Sequence, residues 1–173
     1  MKKLEVLSCL IVVFCLLTGF SKEHNLEKQS QFSGFFQSLK GNWKGCAVKT
    51  PVGPRPYDIH FRYDEEGYLS GVADPGPVSD HHWAYQTEDG VLRLRFLSTF
   101  RGNEVPTWLS AVAKKGSTLT FRSEKVRKLK VEVTIIDTTQ NIDIYLYDEP
   151  HVSIRLTRAS NKDDSRSVCE NSA

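Results

Sequence analysis

Asp80, His81 and His82 form the group of neighbouring residues that most suggests chemistry, because carboxylate and imidazole side chains both bind metal ions. Adjacent side chains of a strand point to opposite faces, so these two histidines could share one ion only from irregular backbone. His60 and His151 lie elsewhere in the chain and fit no ligand spacing. We therefore predict no metal ion and no cofactor.

Serine, histidine and aspartate residues are frequent, but their arrangement does not indicate catalysis. We find no nucleophile in the glycine-flanked turn that exposes such a residue between a strand and a helix. We also find no carboxylate pair framed by apolar residues, which general acid–base catalysis would favour. The sequence predicts a non-catalytic protein. The alternative, an enzyme, would require a titratable side chain with a shifted pKa inside the fold.

Residues 122–130 concentrate positive charge in a stretch that begins at Arg122 and ends at Lys130. The stretch falls at a predicted hairpin, where a solvated turn is the ordinary interpretation. The alternative is a weak contact with an anionic surface or polyanion. The whole chain has a formal net charge of +2. A balance so close to neutral argues against a nucleic-acid-binding protein, which would show a dominant basic face.

The N-terminus has the three-part pattern of a secretory signal. Two lysines follow the first methionine, residues 7–20 are apolar, and small residues precede a cleavage position after Ser21. The apolar run is shorter than the roughly 20 residues that span a bilayer, so an uncleaved anchor is the lesser alternative. We predict a signal peptide over 1–21, a flexible leader over 22–29, a secreted or periplasmic location, and no membrane span after processing.

Cleavage would leave two cysteines, Cys46 and Cys169, in an oxidising compartment. A disulfide between them is one interpretation, and two separate thiols are the other, because Cys169 lies in a polar C-terminal tail over 160–173. Cys46 comes three residues after Trp43 and therefore points to the opposite face of its strand. A partner for Cys46 would have to approach from outside the fold, as a returning tail would.

A short helix is predicted before the first strand. Its apolar residues recur at the spacing of one helical face: Phe32, Phe35, Phe36 and Leu39. Gly41 ends this pattern, and strands follow. A helix with such a face needs an apolar surface to cover, so we predict that it closes one end of the folded domain over 30–159.

Beyond the helix, apolar residues alternate with polar ones, which is typical of antiparallel strands with one buried and one wet face. Short turn signals separate the segments, and no helical segment supplies the crossover that a parallel sheet needs. The predicted strands are 42–49, 56–63, 67–73, 81–87, 91–100, 107–114, 117–123, 128–136, 141–147 and 151–158. Closure removes the exposed edges of such a sheet and covers its apolar face. The sequence predicts an all-β, antiparallel up-and-down barrel of about eight to ten strands.

The first and last strands indicate how this barrel closes. Trp43 opens the first strand, and Arg158 lies on the inner face at the end of the last one. In an antiparallel pair the two side chains share one end, where a guanidinium can stack on an indole within about 6 Å. The short helix, Gly41-x-Trp43, the meander of strands and the terminal arginine resemble the lipocalins of the calycin superfamily, in particular the small bacterial lipocalin-like domains. The resemblance covers residues 32–158.

The resemblance implies a monomeric barrel that carries one small hydrophobic or amphipathic molecule without catalysis. Gly45 and Ala47 share a face with Trp43, and small residues there would leave volume inside. The alternative is a structural or interaction module whose core is packed and whose partner, a protein or an envelope component, is met on its outer wall or at 122–130. The candidates for lining an interior ligand are Tyr57, Ile59, Phe61, Trp83, Tyr85, Leu94, Phe96 and Leu109.

Overall fold

Ten antiparallel strands form a closed barrel in which each strand pairs with its neighbours in sequence and the first pairs with the last. The computed structural model describes residues 32–74, 79–123, 128–159 and 169, so the predicted signal peptide and leader lie outside the described residues. The predicted all-β up-and-down barrel is confirmed. Its elements are α1 (Ser33–Leu39), β1 (Gly41–Lys49), β2 (Arg55–Tyr63), β3 (Leu69–Ala73), β4 (His81–Glu88), β5 (Val91–Ser98), a 3-10 turn (Phe100–Gly102), β6 (Thr107–Lys115), β7 (Thr118–Arg122), β8 (Lys130–Ile136), β9 (Thr139–Leu146) and β10 (Glu149–Arg158).

The strand boundaries differ from the predicted ones by no more than two residues, and turn chemistry explains the larger differences. β3 begins at Leu69 because the preceding segment forms a turn around Asp64. The Asp64 carboxylate accepts the backbone N–H of Tyr68 at 2.8 Å, and the Asp64 carbonyl accepts that of Gly67 at 3.1 Å. β9 begins earlier than predicted, at Thr139, because Asp137 adopts a positive φ of 51° and allows a tight turn.

The helix α1 lies against one end of the barrel, as the spacing of its apolar residues indicates. Leu39 is fully buried, and the phenylalanines of α1 pack against the core. The Phe35 ring lies 5.6 Å from that of Tyr85 on β4 and 6.5 Å from that of Phe121 on β7. We call this the helix end of the barrel. The opposite end, which carries the β1–β2, β3–β4 and β5–β6 connections, is called the open end.

The barrel closes through the residues Trp43 and Arg158, which are directly paired between β1 and β10. The Arg158 guanidinium carbon lies 4.4 Å from the centroid of the Trp43 ring, inside the range of a cation–π stack. The Trp43 indole N–H donates to the Leu39 carbonyl at 2.7 Å. Arg158 donates to the carbonyls of Lys40, at 2.7 Å, and Ser38. These bonds satisfy carbonyls at the C-terminus of α1 and hold the helix on the barrel.

Two glycines of β1 make this closure possible. Gly41 has a φ of 125°, and a Cβ there would lie 2.8 Å from a guanidinium nitrogen of Arg158. A Cβ on Gly45 would overlap the carbonyl oxygen of Arg155 on β10. The small size of Gly45 therefore serves the close approach of two strands, which is a different role from the internal volume suggested by its sequence position.

A disulfide joins Cys46 on β1 to Cys169, at a sequence separation of 123 residues. Cys46 points outward but is only 1% exposed, and Cys169 meets it on the outer wall. The rest of the predicted C-terminal tail lies outside the described residues. In the unfolded chain the bond closes a very long loop.

We expect loss of this disulfide to lower the free energy of unfolding. Closing a long loop restricts the unfolded chain, and the loss of a native disulfide typically costs about 2–5 kcal/mol. Urea unfolding with and without reductant measures the difference, and the double variant Cys46→Ala, Cys169→Ala is the control that reductant should not affect. An unchanged wild-type midpoint under reductant would contradict this expectation.

Candidate binding site

The eight side chains predicted to line an interior cavity all lie in the buried core of the barrel, where they pack on one another. The Tyr85 ring lies 5.9 Å from Phe61 and 5.8 Å from Phe121, in edge-to-face geometry. Toward the open end, the Trp83 and Phe96 rings are 4.5 Å apart. These contacts occupy the middle of the barrel with the protein's own rings. An interior ligand stays a prediction, and the contacts favour the packed-core alternative.

A chain of hydrogen bonds joins three of the inner side chains near the open end. The Trp83 indole N–H lies 2.8 Å from the Tyr57 hydroxyl oxygen, which lies 3.1 Å from His81 Nδ1. An indole N–H can only donate, so the Tyr57 hydroxyl oxygen accepts from Trp83 and shares a second hydrogen bond with His81 Nδ1.

His81 lies on the inner face between the rings of Tyr57, at 5.7 Å, and Phe96, at 5.5 Å, whereas His82 points to the outer wall. Burial lowers the pKa of His81 to about 4, an effect that the nearby Asp80 carboxylate opposes and His82 reinforces. An inward titratable group is what the enzyme alternative requires. Within the described part of the chain, no cluster of three or more histidine, cysteine, aspartate or glutamate residues could hold a metal ion.

A groove of about 560 Å³ runs along the outer wall of the barrel across β4 to β7, and we call it the wall groove. Its side chains alternate with core residues such as Tyr85 and Leu109, which point inward. The volume lies within the range of small-molecule sites, about 300–1,000 Å³. The groove is lined by Tyr68, Gln86, Glu88, Arg93, Pro106, Thr107, Trp108, Ser110, Arg122 and Ser123.

The shape of the wall groove follows from the strand register. Gln86 pairs with Arg93, Arg93 with Ser110, and Ser110 with Arg122, so these four side chains form one row across four strands. Ser110 is a short side chain between two long arginines. The serine therefore forms a floor, and the arginines of β5 and β7 form the two sides. Trp108, which is 40% exposed, stands beside this row on β6.

Arg95 on β5 lies between two aromatic rings, those of Tyr68 and Trp108. The Arg95 guanidinium carbon lies 5.2 Å from the Tyr68 ring centroid and 5.9 Å from that of Trp108. A guanidinium stacks well on aromatic faces, so Arg95 fixes the two rings at the edge of the groove. The indole of Trp108 is thus held in position by its neighbour while part of its surface remains open to solvent.

The charged side chains that line the wall groove are two arginines, Arg93 and Arg122, and one carboxylate, Glu88. Arg93 pairs with Glu88 at 2.8 Å, and Arg122 pairs with Asp148 at 3.4 Å. Each guanidinium carries five N–H donors, so one ion pair leaves donors for another anion. Exposed ion pairs such as that of Arg122 with Asp148 contribute little stability. A ligand carboxylate can therefore compete with Asp148 for the Arg122 guanidinium.

The basic stretch 122–130 is only partly described, because residues 124–127 lie outside the described residues. Arg122 at its start is part of the wall groove. Lys130 at its end lies 3.6 Å from the Tyr145 ring centroid and 3.0 Å from a Glu132 carboxylate oxygen. Among the described residues of this stretch, Arg122 is thus a groove residue and Lys130 is a cation with two partners on β8 and β9.

The wall groove was not among the sites predicted from the sequence, although the alternation of inward and outward side chains contained a signal for it. Leu109 is apolar and points inward, so Trp108 beside it must point outward. The tryptophan thus lies on a wet face, next to a strand that carries outward arginines at 93 and 95. The sequence does not reveal the strand register, which brings Arg93, Ser110 and Arg122 side by side.

Comparison with models of protein families, with curated proteins and with solved structures found no match to this chain. In the described portion of the chain, no helix is long and apolar enough to cross a membrane. The closed antiparallel barrel is compatible with a calycin-like fold. The functional assignment therefore depends on the geometry of the site itself.

Proposed function

We propose that this protein is an exported, non-catalytic binding module of the lipocalin-like type, which uses its packed barrel as a scaffold and binds an anionic partner in the wall groove. The observation that carries the proposal is the row in which Ser110 separates Arg93 and Arg122, beside the exposed Trp108. This arrangement combines a floor, two cationic sides and an aromatic edge. The N-terminal signal pattern and the disulfide both suit an oxidising compartment outside the cytoplasm.

The packed interior supports this choice of site over an interior ligand. A barrel filled by its own rings holds the wall strands rigidly, and rigid elements position binding side chains better than loops do. The groove side chains belong to β4, β5, β6 and β7, each of which is paired on both sides. A ligand in the groove would therefore meet a preformed surface and would not have to displace core residues.

Retention on phosphocellulose, an immobilised polyanion, tests the proposal. Arg122→Gln removes a cation from the wall groove and should elute at lower salt than the wild type. Arg155→Gln is a matched control, because Arg155 is also a partly exposed arginine of a strand in an ion pair with an aspartate, at 2.8 Å from Asp143. β10, which carries Arg155, lies on another part of the barrel.

The two variants have the same net charge, so their comparison separates a site from a general charge effect. We expect Arg122→Gln to lose clearly more retention than Arg155→Gln. Filling the floor by Ser110→Trp should also reduce retention, although it changes no charge. Equal elution of the two arginine variants, with no effect of Ser110→Trp, would show that the groove is not the binding site.

A further inference from the structure

We infer that the ligand of the wall groove is an acidic saccharide, a chain of sugar rings that carry carboxylates. This inference rests on the proposed function and goes further by naming the chemistry of the partner. Three features of the described wall support it: the pairing of its strands, the mixture of charged and neutral polar side chains, and the position of the indole. An acidic peptide is the principal competitor.

The first feature is that β5 offers no free strand edge where the groove lies. Its residues 93–96 pair with β4 on one side and with residues 107–110 of β6 on the other. Extended peptides commonly bind by adding a strand to an open edge, where main-chain hydrogen bonds supply affinity. At this part of the wall that mode is closed. Recognition must therefore come from the ends of side chains. This favours a ligand that carries hydrogen-bonding groups on every unit along its length.

The second feature is the alternation of charged and neutral tips in the groove. Gln86 and Ser110 stand next to the arginines in the cross-strand row. Polar groups that a ligand covers without a hydrogen-bond partner are costly, so a ligand should offer partners to these neutral side chains as well as to the arginines. A sugar ring supplies hydroxyls beside its carboxylate, so it can pair with both kinds of side chain.

The third feature is the exposed indole at the edge of the groove. Trp108 is 40% exposed, and Arg95 holds it in place from one side. An indole offers a broad apolar face with one polar tip, which suits a ring that has an apolar face and a polar rim. The flexible side chain of a glutamate or aspartate has no such face. The indole therefore adds affinity for a ring and little for an acyclic carboxylate.

The spacing of the arginines sets the size of the ligand. Arg93 and Arg122 flank Ser110 in the row, so their strands are two apart, or about 10 Å. An oligosaccharide can place one carboxylate on each arginine. We therefore expect it to bind more tightly than its monosaccharide, which offers a single carboxylate.

Isothermal titration of the full protein with four defined probes tests the inference. The probes are hexagalacturonate, galacturonic acid, the neutral cellohexaose, and a hexaglutamate peptide that matches the carboxylate number without sugar rings. We expect hexagalacturonate to bind at least about tenfold more tightly than each of the others. Trp108→Ala should weaken hexagalacturonate binding by about tenfold or more, whereas Trp108→Phe should retain most of it. Tyr63→Ala, which removes an exposed ring at the helix end, is the matched control and should have no effect.

The outcomes separate this inference from the proposed function. Binding of hexaglutamate as tight as that of hexagalacturonate would overturn the saccharide inference and identify an acidic peptide ligand, with the groove still the site. Equal binding of cellohexaose would also overturn it, because carboxylates would then be irrelevant. Failure of all four probes to bind would overturn the saccharide inference alone if Arg122→Gln still loses more phosphocellulose retention than Arg155→Gln, and both proposals if it does not.

Discussion

Replacement of Trp43 by alanine is expected to lower the free energy of unfolding by about 3–5 kcal/mol, the usual cost of removing a large buried ring. Trp43 is 0% exposed and lies where β1 meets β10. The substitution leaves a cavity, removes the donor to the Leu39 carbonyl, and removes the ring on which Arg158 stacks. Urea unfolding followed by circular dichroism measures the loss. For a domain of this size the expected effect is a large share of the total stability.

The matched control for this prediction is the same substitution at the exposed tryptophan. Trp108→Ala removes an equally large ring from the outer wall, and we expect a loss of no more than about 1 kcal/mol, since exposed positions contribute little. The two variants differ only in the position of the ring. Equal losses in Trp43→Ala and Trp108→Ala would contradict the account of how the barrel closes.

The second large effect is expected on acidification, and it depends on His81. The pKa of this imidazole is lowered from 6.5 to about 4 by burial, so the folded protein favours the neutral form more than the unfolded chain does. Between these two values the unfolded chain binds more protons, and stability therefore falls as the pH falls. The contribution of His81 is fully present above pH 6.5, and acidification to pH 4 should remove on the order of 2–3 kcal/mol.

Non-titrating variants distinguish this effect from the protonation of carboxylates over the same range. His81→Gln places a polar side chain that does not titrate beside the Tyr57 hydroxyl and should flatten the profile of unfolding free energy between pH 6.5 and 4. His60→Gln removes an exposed histidine of the outer wall and should retain the wild-type slope. A profile for His81→Gln that runs parallel to that of the wild type would contradict the assignment of His81 as a buried neutral imidazole.

The fold could be predicted from the sequence because its determinants are local or pairwise. Alternation of apolar and polar residues defines each strand, and short turn signals require neighbouring strands to pair. The closure contact needed only two further facts, namely that Trp43 and Arg158 each point to the inner face of their strand. The Arg158 guanidinium carbon lies 4.4 Å from the centroid of the Trp43 ring, in the cation–π geometry that these orientations predict.

The filling of the barrel and the wall groove could not be predicted in the same way, because each depends on three or more elements at once. The alternation of side chains along β4 places Tyr85 inside, but it does not reveal that rings from α1, β2 and β7 surround it. The same alternation places Arg93 and Arg122 outside. It does not reveal that Ser110 lies between them, because that position depends on the exact register of β5, β6 and β7.

The three tryptophans of the chain provide a direct test of the proposal that the outer wall, and not the interior, is the binding site. Trp43 marks the helix end, Trp83 the interior near the open end, and Trp108 the wall groove. Their indole N–H signals are resolved in a two-dimensional nitrogen–proton NMR spectrum, which we would record during titration first with hexagalacturonate and then with laurate. We predict that hexagalacturonate shifts the Trp108 signal alone and that laurate shifts none. A laurate-induced shift of Trp83 with Trp108 unmoved in both titrations would contradict the claim and identify the interior as the site.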